Sequence, residues 1–237
     1  MFTNFKLFTV LLVIMSLITV SCNNEKSNDY EERRIGAKQT YLALGDSYTI
    51  GESVDESSRF PLQLKDSLMS YDIVIDDPVI VAKTGWTTTD LKNGIEQADL
   101  QTTYDLVTLL IGVNNQYQGL SIENYRTEFV ELLDQSIDFA GGDPEKVIVI
   151  SIPDWGVTPF AEGRDREQIA SEIDAYNKIN KEEAEETGVK YVDVTSISRE
   201  AEEDLTLIAG DGLHPSGKMY ALWVAKIVKK ARVIFDK

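Results

Sequence analysis

Cysteine and histidine are almost absent, with one of each in 237 residues. A single cysteine forbids an internal disulfide, and one cysteine with one histidine cannot build a Cys/His zinc site. Basic residues are scarce beside acids: 23 Lys and Arg against 40 Asp and Glu, a formal charge of −17. A nucleic-acid binder that tracks phosphates needs a basic stripe, so no nucleic-acid partner is expected. The same balance disfavours adsorption of the folded body to anionic membranes. No calcium loop of the EF-hand kind occurs. The Gly-x-Ser-x-Gly elbow of α/β-hydrolases is missing too. A Gly-x-x-x-x-Gly-Lys spacing runs from Gly212 to Lys218, but Met219 stands where a magnesium-binding Ser or Thr belongs. Pro215 inside it has no N–H to offer a phosphate, so the match is read as chance and no cofactor or metal is expected.

Long apolar runs are also missing after the first 21 residues. Within that stretch Lys6 is the only charge, 7–20 is almost entirely apolar, and Ser21 precedes Cys22. A basic start, a short apolar run and a small residue at its end describe an export signal, and the run is short of the roughly 20 residues a spanning helix needs. Leu17-Ile18-Thr19-Val20-Ser21-Cys22 resembles the lipobox of bacterial lipoproteins, with Thr19 where Leu is usual. That resemblance implies cleavage before Cys22, lipidation of Cys22, and residence at the bacterial cell envelope, periplasmic or surface-exposed. Contact with the membrane is then through the lipid anchor alone. The alternative is a plain signal peptide with an incidental cysteine. Residues 22–38 are polar and charged without apolar period and read as a flexible tether. No second linker or repeat follows, so 39–237 is one domain.

In that domain short apolar runs alternate with amphipathic stretches. Strands are expected at 40–44, 79–82, 106–111, 147–152 and 189–194. Helices are expected at 60–71, 87–98, 123–140, 166–187 and 216–235. Thr87 and Asp90 form a capping pair for the second helix, and Gly188 ends the fourth. The last carries an apolar face of Met219, Leu222, Trp223 and Ile227. Strand–helix alternation implies right-handed βαβ units and an α/β fold with a parallel sheet. In such sheets ligands bind beyond the carboxyl ends of the strands.

Four clusters fall at those ends. They are Gly45-Asp46-Ser47, Gly85, Gly112-Val113-Asn114-Asn115 and, past a helical stretch, Asp211-Gly212-Leu213-His214. Acyl transfer needs a nucleophile, a base, a group that orients the base, and donors for the oxyanion. Ser47, at a strand-to-turn junction, is the candidate nucleophile. His214, the lone histidine, is the only candidate histidine base, and Asp211, one turn earlier, can orient it. Asn114 offers a side-chain donor, and Gly85 a backbone N–H that substrate can approach. Each alone has an ordinary reading: a turn or cap for Asp46-Ser47, a turn glycine, a loop-bonded Asn, a structural histidine, a capping Asp. Their joint placement outweighs those readings.

These blocks resemble the four sequence blocks of SGNH hydrolases, also called GDSL esterases, and the resemblance spans about residues 41–235. It implies a flavodoxin-like three-layer sandwich with about five parallel strands. It implies a triad of Ser47, His214 and Asp211, and an oxyanion hole of Ser47 N–H, Gly85 N–H and the Asn114 amide. Asn115 departs from the Asp usual there, a loop support, and is also a candidate substrate contact. Trp86, Tyr117 and Trp155 are candidates to wall the pocket or to pack in the core. The expected activity is hydrolysis of carboxylic esters, of short-chain O-acetyl type, on a small-molecule or glycan substrate. The alternatives are a lysophospholipase or thioesterase, an acyltransferase on the same site, or, in another class, a non-catalytic glycan-binding module. The oligomeric state is not legible.

Overall fold

Strand β1 (Tyr41–Gly45) is buried along its whole length, which is why it reads as apolar without alternation. The computed structural model describes residues 38–236. The chain divides into Met1–Lys38 and Gln39–Lys237, and the fold is that of the second unit. The export signal, Cys22 and the tether up to residue 37 lie outside the described residues.

From β1 the chain enters α1 (Ser47–Ile50) and α2 (Phe60–Met69), then β2 (Val79–Ala82) and α3 (Thr88–Gln97). Next come β3 (Leu106–Leu110), α4 (Val113–Tyr117), α5 (Ile122–Phe139) and β4 (Val147–Ile150). The rest is α6 (Arg166–Thr187), β5 (Lys190–Val192), α7 (Thr195–Arg199) and α8 (Gly217–Phe235). All pairings are parallel, in the order β2-β1-β3-β4-β5. The interior strands β1, β3 and β4 are buried throughout, and the edges β2 and β5 are less so. Right-handed crossovers put α2 and α8 on one face and α3, α5 and α6 on the other. Accordingly α2 packs on α8, and α5 packs on both α3 and α6. This is the three-layer α/β sandwich expected.

Local signals explain the ends. Thr87 caps α3 in a reciprocal box with Asp90, and Gly188 closes α6 in the left-handed conformation at φ +79°. Ser216 caps α8. Leu222 differs from expectation: it is exposed, while Met219, Trp223 and Ile227 are buried. At 100° per residue it lies about 150° from the centre of the buried stripe, which continues through Val224, Val228 and Ala231.

The chain order reverses between β1 and β3, so the crevice of this doubly wound sheet opens at their carboxyl ends. Ser47 follows one of these strands and Asn114 the other.

Candidate active site

The turn after β1 is as tight as backbone allows. A Cβ on Gly45 would sit 2.1 Å from the Thr49 hydroxyl and 2.4 Å from the Leu110 carbonyl oxygen, so only glycine lets strand become helix here. Asp46 caps α1 by accepting from Tyr48 N–H at 3.0 Å, which leaves Ser47 at the first helical position. From α8, Tyr220 donates to the Tyr48 carbonyl at 3.0 Å, and the Tyr48 ring meets the His214 imidazole edge-on, 5.6 Å between centroids.

After β2, Gly85 takes φ +84°, where an L side chain is strained. A Cβ there would meet nothing within 4 Å, so the space beside its backbone is open. After β3, Asn114 Nδ2 donates to the Trp86 carbonyl at 2.9 Å. One amide hydrogen is thereby used and the carboxamide plane set, leaving the second hydrogen for another acceptor.

The fourth block is a hydrogen-bonded turn. Asp211 Oδ1 accepts from Leu213 N–H at 2.9 Å and His214 N–H at 3.0 Å, an Asx-turn pattern. Oδ2 lies 2.6 Å from His214 Nδ1 and accepts from the Ser53 hydroxyl at 2.7 Å. Burial raises the Asp211 carboxyl, but the bonds from His214, Leu213 and Ser53 outweigh it and hold the group well below the usual carboxylate range. It is therefore an anion at any working pH.

A cavity of about 170 Å³ joins these blocks. Ser47, Gly85, Asn114 and His214 all line it, together with Tyr48, Thr84, Val113 and Leu213. Tyr117, Trp155 and Phe160 form its aromatic wall, at centroid separations of 5.4–6.2 Å. Trp155 Nε1 donates to Gln116 at 2.8 Å, and Gln116 donates to Glu172 at 2.6 Å, so the wall is tied to α6. Arg164 caps the three rings, 5.2–5.6 Å from their centroids, and donates to the Tyr117 hydroxyl at 3.2 Å.

Of the four residues named as pocket candidates, Tyr117 and Trp155 line the cavity. The Trp86 indole instead lies over Gly94 of α3, where a Cβ would come within 2.2 Å of the ring. Asn115 is buried, and its amide exchanges bonds with Thr88, accepting from N–H at 3.0 Å and donating to Oγ1 at 2.7 Å. It therefore ties α4 to the start of α3. Phe160, Arg164 and Ser53 were not singled out by sequence. Ser53 and Arg164 sit in turns and Phe160 in a single 3₁₀ turn, none with a period or motif to mark it. Among the described residues no cluster of His, Cys, Asp and Glu is placed to hold a metal ion.

Asp46 carries a cost. It is fully buried, its Oδ2 has no partner, and burial pushes its carboxyl up to about 7 against the lowering effect of the Tyr48 N–H. Unfolded, the group has the ordinary carboxyl value of 3.8. Between these values the native chain holds a proton the unfolded chain releases, so stability is greatest below the window and falls as pH rises through it. The full loss is roughly 4 kcal/mol. We expect urea titrations at about pH 5 and about pH 8 to show wild type losing clearly more stability than Asp46→Asn. Equal losses would remove Asp46 as the source.

A doubly wound parallel sheet with a serine, an imidazole–carboxylate pair and a small cavity at its switch point is a layout suited to acyl transfer. The sequence model of the GDSL-like lipase/acylhydrolase family matches residues 43–222, and the chain belongs to that family. It is a carboxylic ester hydrolase of the SGNH/GDSL kind. The fold is similar to that of TesA, at 16% identity and TM-score 0.64, covering 83% of this chain and 99% of that one. It is similar to Axe2, an acetylxylan esterase from Geobacillus stearothermophilus, at 21% identity and TM-score 0.64, covering 84% and 96%. It also resembles the psychrotrophic esterase EstA from Pseudoalteromonas sp., at 15% identity and TM-score 0.61, covering 84% and 100%. No curated protein matches the sequence.

Proposed function

We propose that this chain is a serine esterase for short acyl groups, with Ser47, His214 and Asp211 as its triad. Ser47 Oγ attacks the ester carbonyl and gives its proton to His214 Nε2. Asp211, paired with Nδ1–H, holds the tautomer and stabilises the imidazolium. The oxyanion rests on Ser47 N–H, Gly85 N–H and the second Asn114 amide hydrogen. His214 then returns the proton to the departing alcohol, and water, deprotonated by His214, releases the acyl group.

The observation that carries this reading is the single cavity touching Ser47, Gly85, Asn114 and His214. Its size argues for the acyl class. A cavity of about 150 Å³ holds a benzene-sized molecule, so about 170 Å³ suits an acyl chain of a few carbons. The exposed Tyr117 and Phe160 rings at its edge suit the flat apolar faces of a sugar alcohol, and Axe2, of similar fold, is an acetylxylan esterase. Attachment to the bacterial envelope through a lipid on Cys22 belongs to the same proposal and is supported by residues 1–22 of the sequence alone.

The test is hydrolysis of 4-nitrophenyl esters of rising chain length. kcat/KM should fall steeply once the acyl group exceeds roughly six carbons, because the added methylenes find no room. Activity undiminished at about twelve carbons would move the reading to a lysophospholipase.

A further inference from the structure

The segment between α1 and α2 connects three of the four blocks. Gly51 ends α1 in the left-handed conformation, and Ser53 adopts that conformation again at φ +66° without being glycine. A serine pays for that backbone, and such strain persists where surrounding bonds over-determine it. The bonds are at hand. The Ser53 hydroxyl reaches across 158 positions of sequence to Asp211 Oδ2 at 2.7 Å. The neighbouring Glu52 accepts from Thr84, the residue before Gly85. The carboxylate oxygen that Ser53 touches is the one facing His214 Nδ1.

Resting on the triad reading, we infer that Ser53 is a positioning residue for Asp211, fixing the carboxylate that orients the imidazole. Asp211 is partly exposed, with 29% of its side chain open to solvent, so burial alone does not lock its rotamer. Two backbone N–H groups pin Oδ1. Oδ2 has the imidazole itself and Ser53, and Ser53 is the donor that does not turn with the ring. Because the same segment contains the end of the nucleophile helix, the bond also sets the distance between the Ser47 and Asp211 loops. The Tyr48 and Tyr220 phenols, from α1 and α8, lie within electrostatic reach of the carboxylate.

The test is a double-mutant cycle. Ser53→Gly removes the hydroxyl and tolerates positive φ, so its thermal midpoint should equal or exceed wild type's. Its kcat for 4-nitrophenyl acetate should fall about tenfold, the worth of one hydrogen bond to a charged group, with KM little changed. In an Asp211→Asn background the same substitution should cost under about twofold, because the group it acts through is gone. An equal cost in both backgrounds, or no cost in wild type, overturns the proposal. Ser53→Ala supplies the same comparison if the glycine variant folds poorly. Full activity in Asp211→Asn alone would overturn the triad reading instead, so the two failures are told apart.

Discussion

Replacing Ser47 by Ala lowers kcat for 4-nitrophenyl acetate by roughly 10⁴–10⁶-fold with KM little changed, the scale of nucleophile removal in triad hydrolases. The argument is local. Ser47 is not the cap of α1, since Asp46 fills that role, and its side chain faces the cavity. Alanine is the best helix former and leaves the turn intact. The backbone N–H of position 47, the Gly85 N–H and the Asn114 amide all remain, so an oxyanion could still be stabilised by a water attack that His214 assists. What is lost is the covalent route. Residual turnover should therefore exceed the uncatalysed rate while falling far below wild type. Thermal unfolding of the two proteins should coincide. An Ala variant that keeps more than about a tenth of wild-type kcat would place the nucleophile elsewhere and dissolve the triad assignment.

The sheet was legible because its interior strands are buried on both faces and must be continuously apolar. Val79–Ala82 matches its expected bounds, and the other strands differ by one or two residues at their ends. α6 matches from Arg166 to Thr187 because Asp165 caps it and Gly188 terminates it. The short helices α1, α4 and α7 were not legible. Four or five residues make little more than one turn, too few for a 3.6-residue period to register. They exist because the loops beyond the strands are held by caps and glycines, such as Gly112 at φ +124°. The cavity-lining blocks could be found because sheet topology brings strand ends together whatever the loops do. Side-chain direction within a loop is another matter. Gly85 turns the chain through positive φ, and the next residue, Trp86, ends over Gly94. Asn115 follows Asn114 on α4, yet it is spent on Thr88 while Asn114 lines the cavity. Ser53 and Arg164 matter through contacts made across the fold, which no local pattern encodes.

Asp211→Asn is expected to lower kcat by about 10⁴-fold, the cost of the equivalent change in the Ser-His-Asp template, while leaving the fold in place. The reason lies in the four donors around the carboxylate. Oδ1 faces the Leu213 and His214 N–H groups, and Oδ2 faces Ser53 and His214 Nδ1. An anion accepts from all four. An amide has one acceptor oxygen and one NH₂, and wherever the NH₂ lies it confronts two donors. Turned toward the backbone pair, it breaks the Asx turn that positions the histidine. Turned toward the imidazole, it donates to Nδ1. The proton must then sit on Nε2, the nitrogen that has to accept from Ser47. Either orientation disables the base without emptying the site. The loss should thus appear in kcat, with the Ser47→Ala variant losing little more when Asp211→Asn is added, because residues that act as a unit are not additive. Kinetics of the single and double variants decide the matter. Losses that multiply would show that Asp211 and Ser47 serve separate ends.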